Sequence, residues 1–460
     1  MKIKQELTGW NACPPELLHL IAKLLSFCEH RALCHFTWQK CRKYYATPEQ
    51  PPPIIGFLRT LFSRPQLACY VTSLHLDGNA HFLDAYRRKL PKLSIPEDEF
   101  DGLIRFIQST GVPNSDRWIQ SLRDGSIDAV VALLLSRLPS LKALYLGRPF
   151  TRETALIGTV LRSAICEPTY HSLPNFHHLQ DVTFLRSRSR DQACDRKVKN
   201  TADLLPFFYL HNFQPMSAAI QNPDTWTWPA AHLPTPSNLT LLDLTCIREA
   251  YLGDVLAVTK NLETLRWDWY YDGGVEDDFT TQTIKLDQIS AAISRARATL
   301  TELTITADCS RAAGDQFYPA VETHGLMKAM VDFGMIKRLQ IPLAFLVGFA
   351  QDTTKRLEDV VPRNIEFLTI TDDLALQNED HLEEEWRMWE WKDYAIMDLP
   401  DAWLKGGHAH TPHLCRVTLL LKWIDSDTDQ WSPAARDRLR DLSTQVGIPV
   451  DLVDLTRRRL

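Results

Sequence analysis

The 460 residues contain no CxxC pair, no phosphate-cradling glycine loop and no apolar run long enough to cross a bilayer. The ten cysteines are scattered from Cys13 to Cys415, mostly among apolar neighbours. A dense disulfide framework belongs to short secreted chains, so these thiols read as small buried hydrophobes in a reduced compartment, cytoplasmic or nuclear. The longest apolar runs, Ile127 to Leu135 (broken by Asp128) and Leu343 to Ala350, fall short of a membrane span. Met1 to Glu6 carries no apolar stretch, so no secretory leader is expected. A net charge of −6 excludes a basic nucleic-acid binder.

Catalytic signatures are missing too. There is no GxGxxG, no GxxxxGK[ST] and no GxSxG nucleophile elbow. Among 57 acidic residues, chance pairs such as Asp277-Asp278 and Asp372-Asp373 carry no acid–base message. His408, His410, His413 and Cys415 crowd together, but Gly406-Gly407 marks a loop and no second ligand pair stands at zinc spacing. The expectation is no metal, no cofactor and no enzyme.

What is present is a repeat. Apolar residues make up 45% of the chain and charged ones 23%, enough for a sizeable core. The pattern apolar-x-x-apolar-x-apolar recurs at Val71/Leu74/Leu76, Leu141/Leu144/Leu146 and Leu179/Val182/Phe184. It returns at Leu239/Leu242/Leu244, Leu262/Leu265/Trp267 and Leu300/Leu303/Ile305. It closes with Ile336/Leu339/Ile341, Ile365/Leu368/Ile370 and Leu414/Val417/Leu419. The last two apolar positions alternate, so they share one face of a short strand, and polar residues fill the other. One such strand cannot bury its face alone, whereas stacked neighbours can.

Helical stripes precede several strands: Ile127 to Leu138, Leu252 to Val258, and Leu286/Ile289/Ile293. Helix, turn and buried strand form the unit of a leucine-rich repeat. The fold class expected is therefore α/β, a leucine-rich-repeat-like solenoid over 51–460 with irregular insertions near 80–124 and 186–221. The first insertion should hold a helix near Glu97 to Ser109. The second opens with the basic run Arg186 to Lys199, which reads as a solvated loop. Pro223 to Pro236 reads as an ordered, irregular connection.

The segment 11–50 looks different. Pro14-Pro15-Glu16 opens a helix whose first turn suits proline and acid, and Leu17, Leu18, Ile21, Leu24 and Leu25 share a side. A second stretch, Arg31 to Tyr45, interleaves Leu33, Phe36, Trp38, Cys41 and Tyr44 with basic residues. Two or three short helices make a thin core, so this module should lean on the repeats or on a partner.

Pro14 through Leu25 resembles the opening of an F-box, and Cys41-Arg42-Lys43-Tyr44 resembles its closing element. The continuation through Phe57 to Leu67 and Tyr70 to Leu76 resembles fungal F-box proteins with divergent leucine-rich repeats. The resemblance implies the substrate-receptor subunit of a Skp–cullin–F-box ubiquitin ligase. Its module would dock on the Skp adaptor, bringing the cullin, while the repeats hold a target protein. Carried over onto this chain, the adaptor-binding residues would be Pro14, Pro15, Glu16, Leu17, Leu20, Ile21, Leu25, Leu33, Phe36, Cys41 and Tyr44.

Aromatic residues dominate interface energetics, which makes Trp269 and Tyr270, after a repeat strand, candidate target anchors. Trp386 and Trp389, in the acidic run Glu379 to Trp391, are a second pair. The expected partners are thus the adaptor, the cullin and one target protein, with no nucleic acid and no membrane. The alternative is a repeat scaffold, outside any ubiquitin pathway, whose front helices only cap the solenoid.

Overall fold

A computed structural model describes residues 35–38, 53–76, 92–147, 150–151, 153–185, 200–272, 280–310, 321–349, 355–374, 394–406, 410–421 and 433–455. The chain divides into two compact units, Met1–Arg186 and Ser187–Leu460. The sequence reading placed no boundary there. Both units are α/β, built on parallel strands, and the strand order closes no barrel.

The first unit has strands β1 (His35–Trp38), β2 (Ser73–Leu76), β3 (Ala143–Leu146) and β4 (Asp181–Phe184). Its helices are α1 (Pro53–Ser63), α2 (Phe100–Thr110), α3 (Ser115–Arg123), α4 (Ile127–Leu135) and α5 (Ala155–Ile165). The strands lie side by side in chain order. The register aligns Leu74, Leu144 and Val182 in one row and Leu76, Leu146 and Phe184 in the next. These six side chains are buried, as are the entry residues Val71, Leu141 and Leu179.

α4 is buried along its whole length, so its all-round apolar sequence is a core helix. Its one charge, Asp128, accepts from the amides of Leu156 and Ile157 at 2.8 and 3.0 Å. A carboxylate on one helix therefore caps the next, at the positive end of α5. The expected helix near Glu97 to Ser109 is present as a short 3-10 turn leading into α2, which ends at Gly111 with φ of 71°. α3 follows and was not foreseen.

The second unit has strands β5 (Pro215–Ala219), β6 (Leu241–Thr245), β7 (Thr264–Asp272), β8 (Thr283–Lys285) and β9 (Glu302–Ser310). It continues with β10 (Glu322–His324), β11 (Arg338–Pro342), β12 (Phe367–Thr371), β13 (Arg416–Leu421) and β14 (Val450–Asp454). Its helices are α6 (Thr201–Leu204), α7 (Glu249–Val258), α8 (Leu286–Ile293), α9 (Leu343–Val347), α10 (Tyr394–Lys405) and α11 (Pro433–Val446). The main sheet runs β5-β6-β7-β9-β11-β12-β13-β14, all parallel, while β8 and β10 pair separately.

One buried row reads Leu242, Leu265, Leu303, Leu339, Leu368, Val417, Val450. Every apolar position of the six repeat segments in this unit is buried. Each such residue contributes roughly 1.5–3 kcal/mol on full burial, so the repeated triplet supplies the core. α7 packs on α8, and α10 on α11.

Two expectations need correction. The stretch 186–221 is not simply an insertion: residues 201–219 form α6, a 3-10 turn and β5. Phe213, Met216 and Ala218 occupy the repeat spacing and are buried. The small Ala218 hid the triplet. Second, the front segment is not helical at His35–Trp38, where the backbone is the strand β1 paired with β2.

Side-chain amides tie neighbouring rungs. Asn200 donates to the Ala219 carbonyl at 2.9 Å and accepts from the Gln221 amide at 3.0 Å. Asn222 repeats this one rung on, with the Cys246 carbonyl at 3.2 Å and the Arg248 amide at 2.8 Å. β9 and β11 pair only as far as Thr304 and Gln340, and β11 ends at Pro342, which has no N–H to give. β7 and β9 run on as a pair to Asp272 and Ser310. Along this ribbon the Ala307 amide donates to Asp373 Oδ2 at 3.2 Å and the Cys309 amide to Asp308 Oδ1 at 2.8 Å.

Candidate binding surface

Strand alternation puts the residue between each pair of core positions on the opposite, open face of the sheet. In the second unit that gives one transverse row of Leu241, Thr264, Glu302, Arg338, Phe367 and Arg416. The next row is Asp243, Arg266, Thr304, Gln340, Thr369, Thr418 and Asp451. None of these side chains is buried. Strands about 4.8 Å apart hold them as a fixed two-dimensional array, the kind of rigid surface that recognises a partner at low ordering cost.

The charges on this face are loosely held. Arg266 lies 4.0 Å from Glu302, and Arg416 3.5 Å from Asp451, with half or more of each arginine side chain exposed. Such pairs contribute about 0–1 kcal/mol. The Arg338 guanidinium lies 4.5 Å above the Phe367 ring. In the first unit the matching face carries His75 and Tyr145, stacked at 3.9 Å and 8°. Asp181 stands on that face too, and burial pushes its carboxyl above the usual carboxylate range.

At the carboxyl ends of the strands the chemistry changes from open to sealed. Arg248, just before α7, is fully buried. It donates from Nε to Glu249 Oε2 at 2.9 Å and from one terminal nitrogen to Oε1 at 3.2 Å. It also donates to the carbonyls of Thr281 and Thr283 at 3.0 and 3.3 Å. Its guanidinium plane sits 4.3 Å over the Trp269 ring. Nearby, Thr306 donates to Asp268 Oδ1 at 2.6 Å. A charge so completely paired and covered is a structural tie and offers nothing to an incoming ligand.

This corrects the reading of Trp269 as a target anchor: its side chain is 0% exposed, stacked under Arg248. The alternation explains why, since Trp269 shares the core parity of Leu265 and Trp267. Tyr270 is half-buried and has open-face parity. The other predicted anchors, Trp386 and Trp389, lie outside the described residues. So do Pro14, Pro15, Glu16, Leu17, Leu20, Ile21, Leu25, Leu33, Cys41 and Tyr44. Phe36 falls in β1.

Of the candidate metal ligands, His410, His413 and Cys415 sit exposed in the approach to β13. No metal-holding cluster occurs among the described residues. No described helix is long and apolar enough to cross a membrane. The sequence pattern places polar residues on this face but does not single out its rows as a binding surface. The pattern's signal is the residue flanked by the two alternating apolar positions of every repeat.

The chain matches no family model, and no curated protein matches it.

Proposed function

We propose that this chain is a target-recognition protein of the leucine-rich-repeat type, the receptor subunit of a Skp–cullin–F-box ubiquitin ligase. The observation that carries the recognition half is the strand order. Parallel strands follow one another in chain order, with the triplet residues buried behind and a polar array left open in front. A doubly wound sheet reverses its order and opens a crevice at the reversal; a stacked repeat does not, and binds across its face. The ligase half rests on the F-box resemblance of Pro14 to Leu25 and Cys41 to Tyr44. The mechanism is tethering: one end docks on the adaptor while the sheet face raises the local concentration of a target.

A second reading is favoured by one observation. β1 adds itself to β2, so the front segment supplies a rung of the first unit's sheet. A segment that only seals the end of a stack would do the same. Co-precipitation of the full chain with purified Skp adaptor separates the two. Capture that is lost in Leu17→Asp with Ile21→Asp, while the thermal unfolding midpoint is kept, supports the receptor. No capture by a folded wild-type chain leaves the capping scaffold.

A further inference from the structure

The open face of the second unit carries three exposed arginines on alternate rungs: Arg266 on β7, Arg338 on β11 and Arg416 on β13. With strands about 4.8 Å apart, Arg338 and Arg416 share a transverse row about 10 Å apart. Arg266 lies one row on, two strands away. Between Arg338 and Arg416 stands Phe367, half-buried and already under the Arg338 guanidinium. Arg338 has no carboxylate within ion-pair distance among the described residues, and the partners of the other two are at 4.0 and 3.5 Å, distances a competing anion can displace.

We infer that the target presents an acidic, extended segment that lies across the strands, its carboxylates meeting Arg266, Arg338 and Arg416 in turn. This rests on the reading of the sheet face as the target-binding surface. An extended polyproline-like segment advances about 3.1 Å per residue and returns to the same face every third residue. Carboxylates three apart therefore stand about 9 Å apart, matching the Arg338-to-Arg416 step. A guanidinium fork donates two parallel hydrogen bonds to a carboxylate, which gives direction as well as charge. The net charge of −6 disfavours a long polyanion, and within a Debye length of about 8 Å a short segment meets the three arginines together with Asp243, Glu302 and Asp451, so its carboxylates must displace Glu302 and Asp451 from their loose pairs.

The test uses the intact chain and fluorescein-labelled twelve-residue peptides made of four Pro-Pro-Glu repeats, with Pro-Pro-Gln and Pro-Pro-Lys repeats as controls. Anisotropy titrations at low and high salt should show binding of the glutamate peptide alone, weakened by salt. Arg338→Glu with Arg416→Glu should weaken it about tenfold or more, whereas Arg297→Glu, an exposed cation off this face, should not. Equal binding by the glutamine peptide, or no loss in the double variant, overturns the inference. So does a phosphoserine version binding a hundredfold tighter, which would mean a phosphate site, or displacement by single-stranded RNA at equal concentration. Adaptor capture without acidic-peptide binding would sink this inference and leave the receptor reading standing; the converse would sink the receptor reading.

Discussion

Replacing Arg248 with methionine removes a buried cation while nearly keeping its volume. Four hydrogen bonds go with it: two to Glu249 and one each to the Thr281 and Thr283 carbonyls. The Glu249 side chain, only 3% exposed, is left as an uncompensated buried charge. Breaking one side of a buried pair costs about 3–5 kcal/mol, and losing the Trp269 stack adds up to about 2 kcal/mol. The second unit spans about 270 residues. At that size each kcal/mol moves the unfolding midpoint by about 2–4 °C, so a drop of roughly 10 °C is expected. Circular dichroism melts of the full-length chain read this directly. Pairing the change with Glu249→Leu removes the stranded charge and should recover more than half the loss. A single variant within about 3 °C of wild type, or a double variant no better than the single, would refute the view that the ion pair is what makes this site costly to break.

Gly325 has φ of 80°, and a Cβ there would stand 2.0 Å from Asp287 Oδ2. Gly325→Ala should therefore lower stability by about 1–3 kcal/mol in a denaturant titration; a neutral result would rule out the tight packing of this turn. Asp128→Ala strips the acceptor from two α5 amides and should cost about 2 kcal/mol, with Asp128→Asn milder; equal losses would mean the charge is irrelevant. Burial, reinforced by Glu167 and opposed by Arg162, raises the Cys166 thiol to about 11. At pH 8 roughly a thousandth is thiolate, so iodoacetamide should label exposed Cys69 and Cys415 long before Cys166, whose rate should rise about tenfold per pH unit. The folded chain then keeps a proton that the unfolded chain releases from about pH 9, so stability should fall as pH rises through 9 to 11.

The repeat was legible because its physics is local. Two apolar residues that alternate, with a third entering from the loop, need only the pleat of a strand to align them, and Leu303, Leu339 and Leu368 do align. Ala218 escaped because packing against neighbouring rungs, and not size, decides burial there. Trp269 was misread for a different reason. The apolar triplet alone ends the strand at its third member, Trp267, while β7 continues to Asp272, carrying the alternation and Trp269 inward. Its partner Arg248 lies in another rung, a pairing that no window of sequence displays. The open-face arginines are visible as letters, but the transverse row shared by Arg338 and Arg416 exists only once the register is fixed.

Past Thr304, β9 has no strand paired on its β11 side among the described residues, although Ala307 and Cys309 are buried there; unpaired strand flanks are the feature by which folded chains recruit one another into fibrils. Asp373 and Asp308 occupy the two amides that an invading strand would need first. Two carboxylates thus act as stoppers, satisfying amides that no described strand pairs. Substituting leucine for Asp373 should leave the fold recognisable yet shorten the time the concentrated protein stays clear.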